Sequence, residues 1–220
     1  MYEYYCVIFD FDGVIADTGP IHYRSWKKLA EELNVEYDTE FFEETFGQQT
    51  VPIVKKMVSE EITNEKAQKL GKKKEQYYRD MLGDDIQPLP GVKVLIKALH
   101  KLHFKLAIGS SAPRKNIDLL LKSLDLNNFF DIIIAAEDIK NGKPAPDVFL
   151  TIAKDLKLNQ KNCLVIEDAP VGIKAAKIAD MKTIALTTTH EEEKLKDADM
   201  VLKDLSEIDY NEIIKLLKND

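Results

Sequence analysis

Residues 5–18 read Tyr5-Cys6-Val7-Ile8-Phe9-Asp10-Phe11-Asp12-Gly13-Val14-Ile15-Ala16-Asp17-Thr18. The apolar run Tyr5–Phe9 has the length and side chains of a buried strand. It stops at two carboxylates, Asp10 and Asp12, placed at i and i+2 and followed by a glycine. At a strand end such a pair has a clear chemistry. One carboxylate can attack phosphorus and become an aspartyl phosphate. The other can move the proton of the leaving group and then of the attacking water or hydroxyl. Gly13 permits a close backbone approach. Asp12-Gly13 taken alone is also ordinary turn chemistry.

Outward from this stretch, short β-branched runs recur at Lys105–Ile108, Ile132–Ala135, Cys163–Ile166, Thr183–Leu186 and Met200–Leu202. Between them lie segments with helical spacing, such as Val92, Leu95, Leu99 and Leu102, or Ile117, Leu120 and Leu124, or Phe149, Ile152, Ala153 and Leu156. Strands alternating with helices predict an α/β fold, a Rossmann-like, doubly wound parallel sheet covered on both faces. One interval breaks the rhythm: about ninety residues with no convincing strand separate the first strand from the second, far more than a βα unit needs. That interval carries helical faces at Ile21, Ser25, Leu29 and Leu33, at Ile53, Val54, Met57 and Val58, and a further helix over Lys66–Leu82. It leaves through the stiff Pro88-Leu89-Pro90-Gly91. The expected organisation is a catalytic core of residues 1–17 and 88–220 and an inserted helical cap of residues 18–87. The cap is expected above the carboxyl ends of the strands, where open α/β sheets bind ligands.

Three more clusters follow strands. Glu167-Asp168 comes directly after Cys163–Ile166 and, with Asp10, offers oxygen ligands to a hard divalent cation such as Mg²⁺. Alone, the pair also suits a helix N-terminus. Ser110 and Ser111, behind Gly109, put hydroxyl and backbone N–H groups where phosphate oxygens can be cradled, although serine before Pro113 is also a helix cap. Lys143 stands between glycine and proline in Gly142-Lys143-Pro144 and can supply a fixed positive charge. Each signal is weak alone. Together they place a nucleophile, an acid/base, metal carboxylates, phosphate donors and a cation on one edge of one sheet.

The 220 residues are 45% hydrophobic and 31% charged, with a formal net charge of −7. That composition supports a full core and gives no electrostatic footprint for nucleic acid. No apolar run is long enough for a bilayer, and Met1 to Asp10 does not read as a signal peptide. Cys6 and Cys163 each sit in an apolar run and are expected to be buried, reduced thiols in a cytoplasmic protein. Lys72-Lys73-Lys74 reads as a solvated helix face. The expected partner is a small phosphorylated metabolite, bound by a monomer, with no nucleic acid and no membrane.

The four clusters in this order resemble the haloacid dehalogenase superfamily, in its β-phosphoglucomutase-like and sugar-phosphate phosphatase branch, over essentially the whole chain. The resemblance implies Asp10 as nucleophile and Asp12 as general acid/base. It implies Ser110 as a phosphoryl contact, and Lys143 as the cation shared by nucleophile and phosphate. It further implies Mg²⁺ held by Asp10, Asp168 and the backbone carbonyl of Asp12, with Glu167 helping directly or through water. An aspartate at position 12 argues against dehalogenation. The stretch Asp17-Thr18-Gly19-Pro20-Ile21-His22 resembles the entry to the helical cap, which makes His22 a candidate substrate or phosphate contact near Asp12 and the hinge. The chain departs from the β-phosphoglucomutases where their cap loop has an arginine for the second phosphate. Here the loop reads Gly47-Gln48-Gln49-Thr50, and glutamine cannot replace a bidentate guanidinium. Arg114 offers a second phosphate another approach, and Lys73 or Lys74 could compensate. The expected activity is therefore a Mg²⁺-dependent phosphatase for a small sugar or polyol phosphate. The alternatives are a mutase using the same phospho-aspartate and a non-catalytic module that retains the fold.

Overall fold

The computed structural model describes residues 2, 4–83 and 86–218. Of the two expected units, residues 1, 3, 84, 85, 219 and 220 lie outside the described residues. The chain begins with strand β1 (Cys6–Phe9), followed by helices α1 (Gly19–Leu33), α2 (Thr39–Thr45), α3 (Thr50–Val58) and α4 (Asn64–Met81). An alternating series completes it: α5 (Val92–Lys101), β2 (Lys105–Gly109), α6 (Arg114–Ser123), β3 (Ile132–Ile134), α7 (Asp147–Asp155), β4 (Cys163–Glu167), α8 (Pro170–Ile178), β5 (Lys182–Leu186), α9 (Glu192–Leu195), β6 (Met200–Leu202) and α10 (Tyr210–Lys218).

The strands form one six-stranded parallel sheet in the order β3-β2-β1-β4-β5-β6. Its strands are mainly apolar because both faces are covered, with lysines only where β2 and β5 begin and Glu167 where β4 ends. Val7 and Phe9 face one way, with Leu106, Ile108, Leu164 and Ile166, and pack under α5, α6 and α10. Cys6 and Ile8 face the other way, with Ala107 and Val165, and pack under α7 and α8. Cys6 and Cys163 are register partners on neighbouring strands, both buried and unbonded. Strand order reverses direction at β1, so β1 stands at the switch point where such sheets bind ligands.

Helices α1 to α4 occupy the long interval between β1 and β2, and their apolar faces make a separate cluster around Trp26, Leu29, Ile53, Val54 and Ala67. Helix α4 starts at Asn64, two residues ahead of the expected Lys66, because the Thr63 hydroxyl caps it by accepting from the Lys66 N–H. The chain enters and leaves this helical layer side by side. Ala16 and Pro88 form an isolated bridge, and Leu89 N–H donates to the Ile15 carbonyl at 3.0 Å.

Candidate active site

The register aligns Phe9 with Ile108 of β2 and with Ile166 of β4. Asp10 therefore emerges level with Gly109 on one side and Glu167 on the other, and its N–H extends the ladder to the Ile166 carbonyl at 2.8 Å. Ser110 N–H does the same toward Ile134 at 3.0 Å. A parallel sheet puts all its carboxyl ends on one edge, so residues distant in sequence converge there.

Lys143 lies at the centre of the convergence. It is buried, and its Nζ donates to Asp10 Oδ1 and to Glu167 Oε1, each at 2.5 Å. The other oxygen of Glu167 accepts from the N–H groups of Asp168 and Ala169, at 2.9 and 3.1 Å. Asp168 accepts from the Thr189 hydroxyl. Asp10, Glu167 and Asp168 each offer an oxygen within 4.8 Å of the others, and all three are buried.

Burial is the largest influence on Asp10 and pushes it up to about 8, with Glu167 adding to the shift and Lys143 opposing it. Burial likewise drives Asp168 well up, helped by the charges of Glu167 and Asp10. Burial alone would lower Lys143, but Asp10 and Glu167 outweigh it and hold the ammonium charged. One cation thus faces three buried carboxylates, an imbalance that a bound divalent cation of oxygen-ligand type would correct. The donor set fits a metal ion.

Gly13 makes this packing possible. Its φ is +77°, and a Cβ there would lie 1.9 Å from Asp168 Oδ2. Gly172, at the start of α8, has the same function beside Glu167, whose Oε1 would be 1.7 Å from an added Cβ.

Asp12 points to the helical layer. Its Oδ1 accepts from the Thr18 hydroxyl at 2.6 Å and contacts His22 Nε2 at 3.1 Å. Burial pushes Asp12 up, but the adjacent His22 and the hydrogen bonds from His22 and Thr18 hold it below the usual carboxylate range. His22 Nδ1 in turn contacts Lys74 Nζ at 2.7 Å, and Lys74 reaches Glu75 Oε1 at 3.1 Å. His22 thus stands beside Asp12 at the entry to the helical layer, as its position in the chain suggested.

Asp10, Asp12, His22, Ser110 and Ser111 line one cavity together with Trp26, Gln48, Thr50, Lys74 and Glu75. Ser110 Oγ accepts from the Ala112 N–H at 3.0 Å. Ser111 Oγ is buried with no partner, an orphan polar atom of the kind a ligand satisfies. Arg114 is placed elsewhere. Its guanidinium bonds the Ile133 carbonyl and Asp138, the latter at 2.8 Å, and it is not among the cavity residues. In this arrangement the first turn of α6 commits the side chain to Asp138 and the Ile133 carbonyl and not to the cavity that Asp10 lines.

The solvated-face reading of Lys72-Lys73-Lys74 also needs correction. Lys72 and Lys73 are exposed, but Lys74 is 1% exposed and Glu75 5%. Both share the buried face of α4 with Ala67, Gly71 and Tyr78. The spacing 67, 71, 74, 78 was a visible signal, masked by charge. Thr189 and His190 had no such signal. They follow β5, where His190 Nδ1 meets the Asp168 carbonyl at 3.1 Å and Nε2 meets the Glu43 carbonyl of α2 at 3.3 Å.

The chain and its fold are similar to known proteins. The family described as haloacid dehalogenase-like hydrolase matches residues 7–186. The chain belongs to the haloacid dehalogenase-like hydrolases. It is 34% identical over 185 residues to a fructose-1-phosphate phosphatase of Escherichia coli (strain K12), covering 84% of this chain and 97% of that protein. It is 31% identical over 210 residues to a β-phosphoglucomutase of Bacillus subtilis (strain 168), covering 92% and 90%. A crystal structure of β-phosphoglucomutase from Clostridium difficile superposes with a TM-score of 0.88 at 31% identity, over 99% of this chain and 97% of that one. This haloacid dehalogenase-like hydrolase is accordingly an enzyme of the phosphomonoester hydrolase or phosphomutase type, with an acidic cluster fit for a metal ion. No helix among the described residues is long and apolar enough to cross a membrane.

Proposed function

We propose that the chain is a Mg²⁺-dependent phosphatase that hydrolyses a small sugar or polyol phosphate through an aspartyl phosphate on Asp10. The observation that carries this reading is the buried Asp10 carboxylate, held by Lys143 at 2.5 Å beside Glu167 and Asp168, with Asp12 two residues away on its own hydrogen-bonded support. Asp10, Asp168 and the Asp12 carbonyl would hold the cation, with Glu167 beside them. Bound there, Mg²⁺ supplies charge neutralisation between phosphate and carboxylates.

An Asp10 oxygen attacks phosphorus as the bond to the leaving oxygen breaks, and Asp12 gives that oxygen its proton. Water then attacks the phospho-aspartate and yields its proton to Asp12, which releases phosphate and restores Asp10. Lys143 and the serines hold the charge that develops on the phosphoryl oxygens. The ionised Asp12 of this structure suits the second step. A bound phosphate brings negative charge nearby and raises Asp12 toward the protonated form that the first step needs.

Hydrolysis is favoured over mutation by the cap-side loop. Gln48 is neutral, and its side chain donates to the Glu44 carbonyl at 3.0 Å. The likeness to β-phosphoglucomutases, with Lys74 in the cavity, supports the mutase as the second reading. We further place the protein in the cytoplasm as a monomer, a setting that the unbonded Cys6 and Cys163 suit.

Phosphate release is measured over a panel of sugar and polyol monophosphates with Mg²⁺. Steady turnover without a sugar bisphosphate is expected. β-Glucose 1-phosphate with and without glucose 1,6-bisphosphate separates the readings. Rapid bisphosphate-dependent formation of glucose 6-phosphate with little free phosphate would establish the mutase.

A further inference from the structure

Glu75 is a buried carboxylate that the hydrolytic steps do not use. It stands on α4 at the cap side of the catalytic cavity. Its Oε1 accepts from the Thr50 hydroxyl at 2.8 Å and from Lys74 at 3.1 Å. Its Oε2 accepts from Asn116 Nδ2 of α6 at 2.6 Å, and the Asn116 Oδ1 accepts from Arg79 at 2.9 Å. Burial pushes Glu75 up, but Lys74 and His22 and the hydrogen bonds from Thr50 and Lys74 outweigh it, so it is ionised at neutral pH.

On α4 the cavity thus meets two side chains of opposite charge in direct contact. Lys74 is the cation and Glu75 its counter-ion. Lys74 is further committed to His22 Nδ1 and sits 4.9 Å from the centroid of the Trp26 ring. A second phosphate placed there would meet an ammonium already neutralised and a carboxylate of its own sign. A neutral polyol would meet hydroxyl partners: the Thr50 Oγ1, the Glu75 oxygens and the amide of Gln48. Buried like-charge contact costs several kcal/mol, enough to discriminate strongly.

We propose that Glu75 is a specificity-determining residue that restricts this enzyme to leaving groups without a second phosphate, by cancelling Lys74 and presenting a fixed carboxylate to the leaving-group compartment. The inference rests on the phosphatase reading above and names the substrate class of that site: neutral polyol or sugar monophosphates, with bisphosphates excluded.

The test uses binding, so that it does not depend on turnover. Asp10→Asn protein with Mg²⁺ is titrated with fructose 1-phosphate and with fructose 1,6-bisphosphate by calorimetry. A preference for the monophosphate of about 100-fold is expected from the like-charge cost. Adding Glu75→Gln should cut the preference about tenfold or more, through tighter bisphosphate binding, whereas a merely structural role would weaken both ligands alike. The second variant is the exchange Glu75→Gln with Asn116→Asp. It keeps an amide–carboxylate hydrogen bond, moves the charge onto α6 and gives Arg79 a carboxylate partner, so it preserves the packing if the single change does not fold. It should also admit the bisphosphate. Bisphosphate binding as tight as monophosphate binding in Asp10→Asn overturns the inference, and so does an unchanged preference in the folded Glu75 variants. Rejection of the bisphosphate by Asp10→Asn, with no phosphate release by the wild type from any monophosphate, would instead defeat the phosphatase reading and leave Glu75 in its role.

Discussion

Lys143→Met tests the electrostatic centre of the site most directly. Methionine nearly keeps the volume and removes the charge. In the native arrangement Lys143 Nζ lies 2.5 Å from both Asp10 and Glu167, with Asp168 in the same buried cluster. Without the lysine, three carboxylates share one buried space. Breaking a buried pair from one side costs about 3–5 kcal/mol, because the remaining charge is uncompensated. Three carboxylates can escape part of that cost by taking up protons. For a chain of this size, about 3 kcal/mol corresponds to a fall in Tm of about 10 °C. Calorimetric melting in chelator should show this drop, and Mg²⁺ should recover part of it by taking over the neutralisation. Activity should fall by about a thousandfold or more, because a charge aimed at the reacting phosphoryl group is lost. Lys143→Arg should recover little activity, since the larger planar fork does not fit a point-charge position. A metal-free Tm equal to the wild type, or turnover within tenfold of it, would refute the central role given to this ammonium.

The remaining predictions address metal, packing, pH and motion. Chelator should abolish phosphate release and Mg²⁺ should restore it, with a concentration-dependent rise in Tm as ligand linkage requires; full activity in excess chelator contradicts the metal reading. Gly13→Ala puts a methyl into Asp168 at a φ of +77°, and half-maximal activation should require about tenfold more Mg²⁺ or worse; an unchanged activation curve contradicts it. For Asp199, burial acts upward, but hydrogen bonds from Lys177 and Thr183 hold it below the usual range. The stability it contributes is therefore present above its unfolded pKa of about 4 and lost as pH falls through the lower folded value. Asp199→Asn should destabilise at pH 7 by about 1 kcal/mol, with the gap closing in strong acid; a gap that widens there is the wrong sign. The catalytic cavity lies between the sheet edge and side chains of α1 to α4, so substrate has to enter and product to leave between these layers. Helices α1 to α4 should therefore swing about the paired crossings at Ala16 and Pro88, and solution scattering with and without a phosphate analogue should differ; identical curves count against such a lid.

What the sequence disclosed and what it withheld divide along a physical line. The sheet was legible because each strand is a short apolar run that ends on a different kind of residue, and the parallel register then forces those endings together. Asp10, Ser110 and Glu167 needed only the rule that parallel strands share a carboxyl edge, whereas Lys143 lies further on, in the loop between β3 and α7, and was singled out by its setting between Gly142 and Pro144. Helix α4 was legible as an element and misread as a surface, since Lys74 and Glu75 are residues that patterns assign to water. Their burial follows from a partnership across three segments, with His22 on α1, Thr50 on α3 and Asn116 on α6. A buried charge is tolerated only where its counter-charge and hydrogen bonds are already in place, and no local window contains those partners. Arg114 shows the converse. Its position directly behind the phosphate loop suggested a role at the ligand, yet the first turn of α6 aims it at Asp138 and the Ile133 carbonyl. Chemistry set by strand ends could be read from the chain, whereas chemistry set by which helical faces meet could not. On the proposed reading the second kind decides which leaving group is accepted: Asp10 stands at a strand end of the sheet, and Lys74 and Glu75 belong to the contact between α4 and its neighbours.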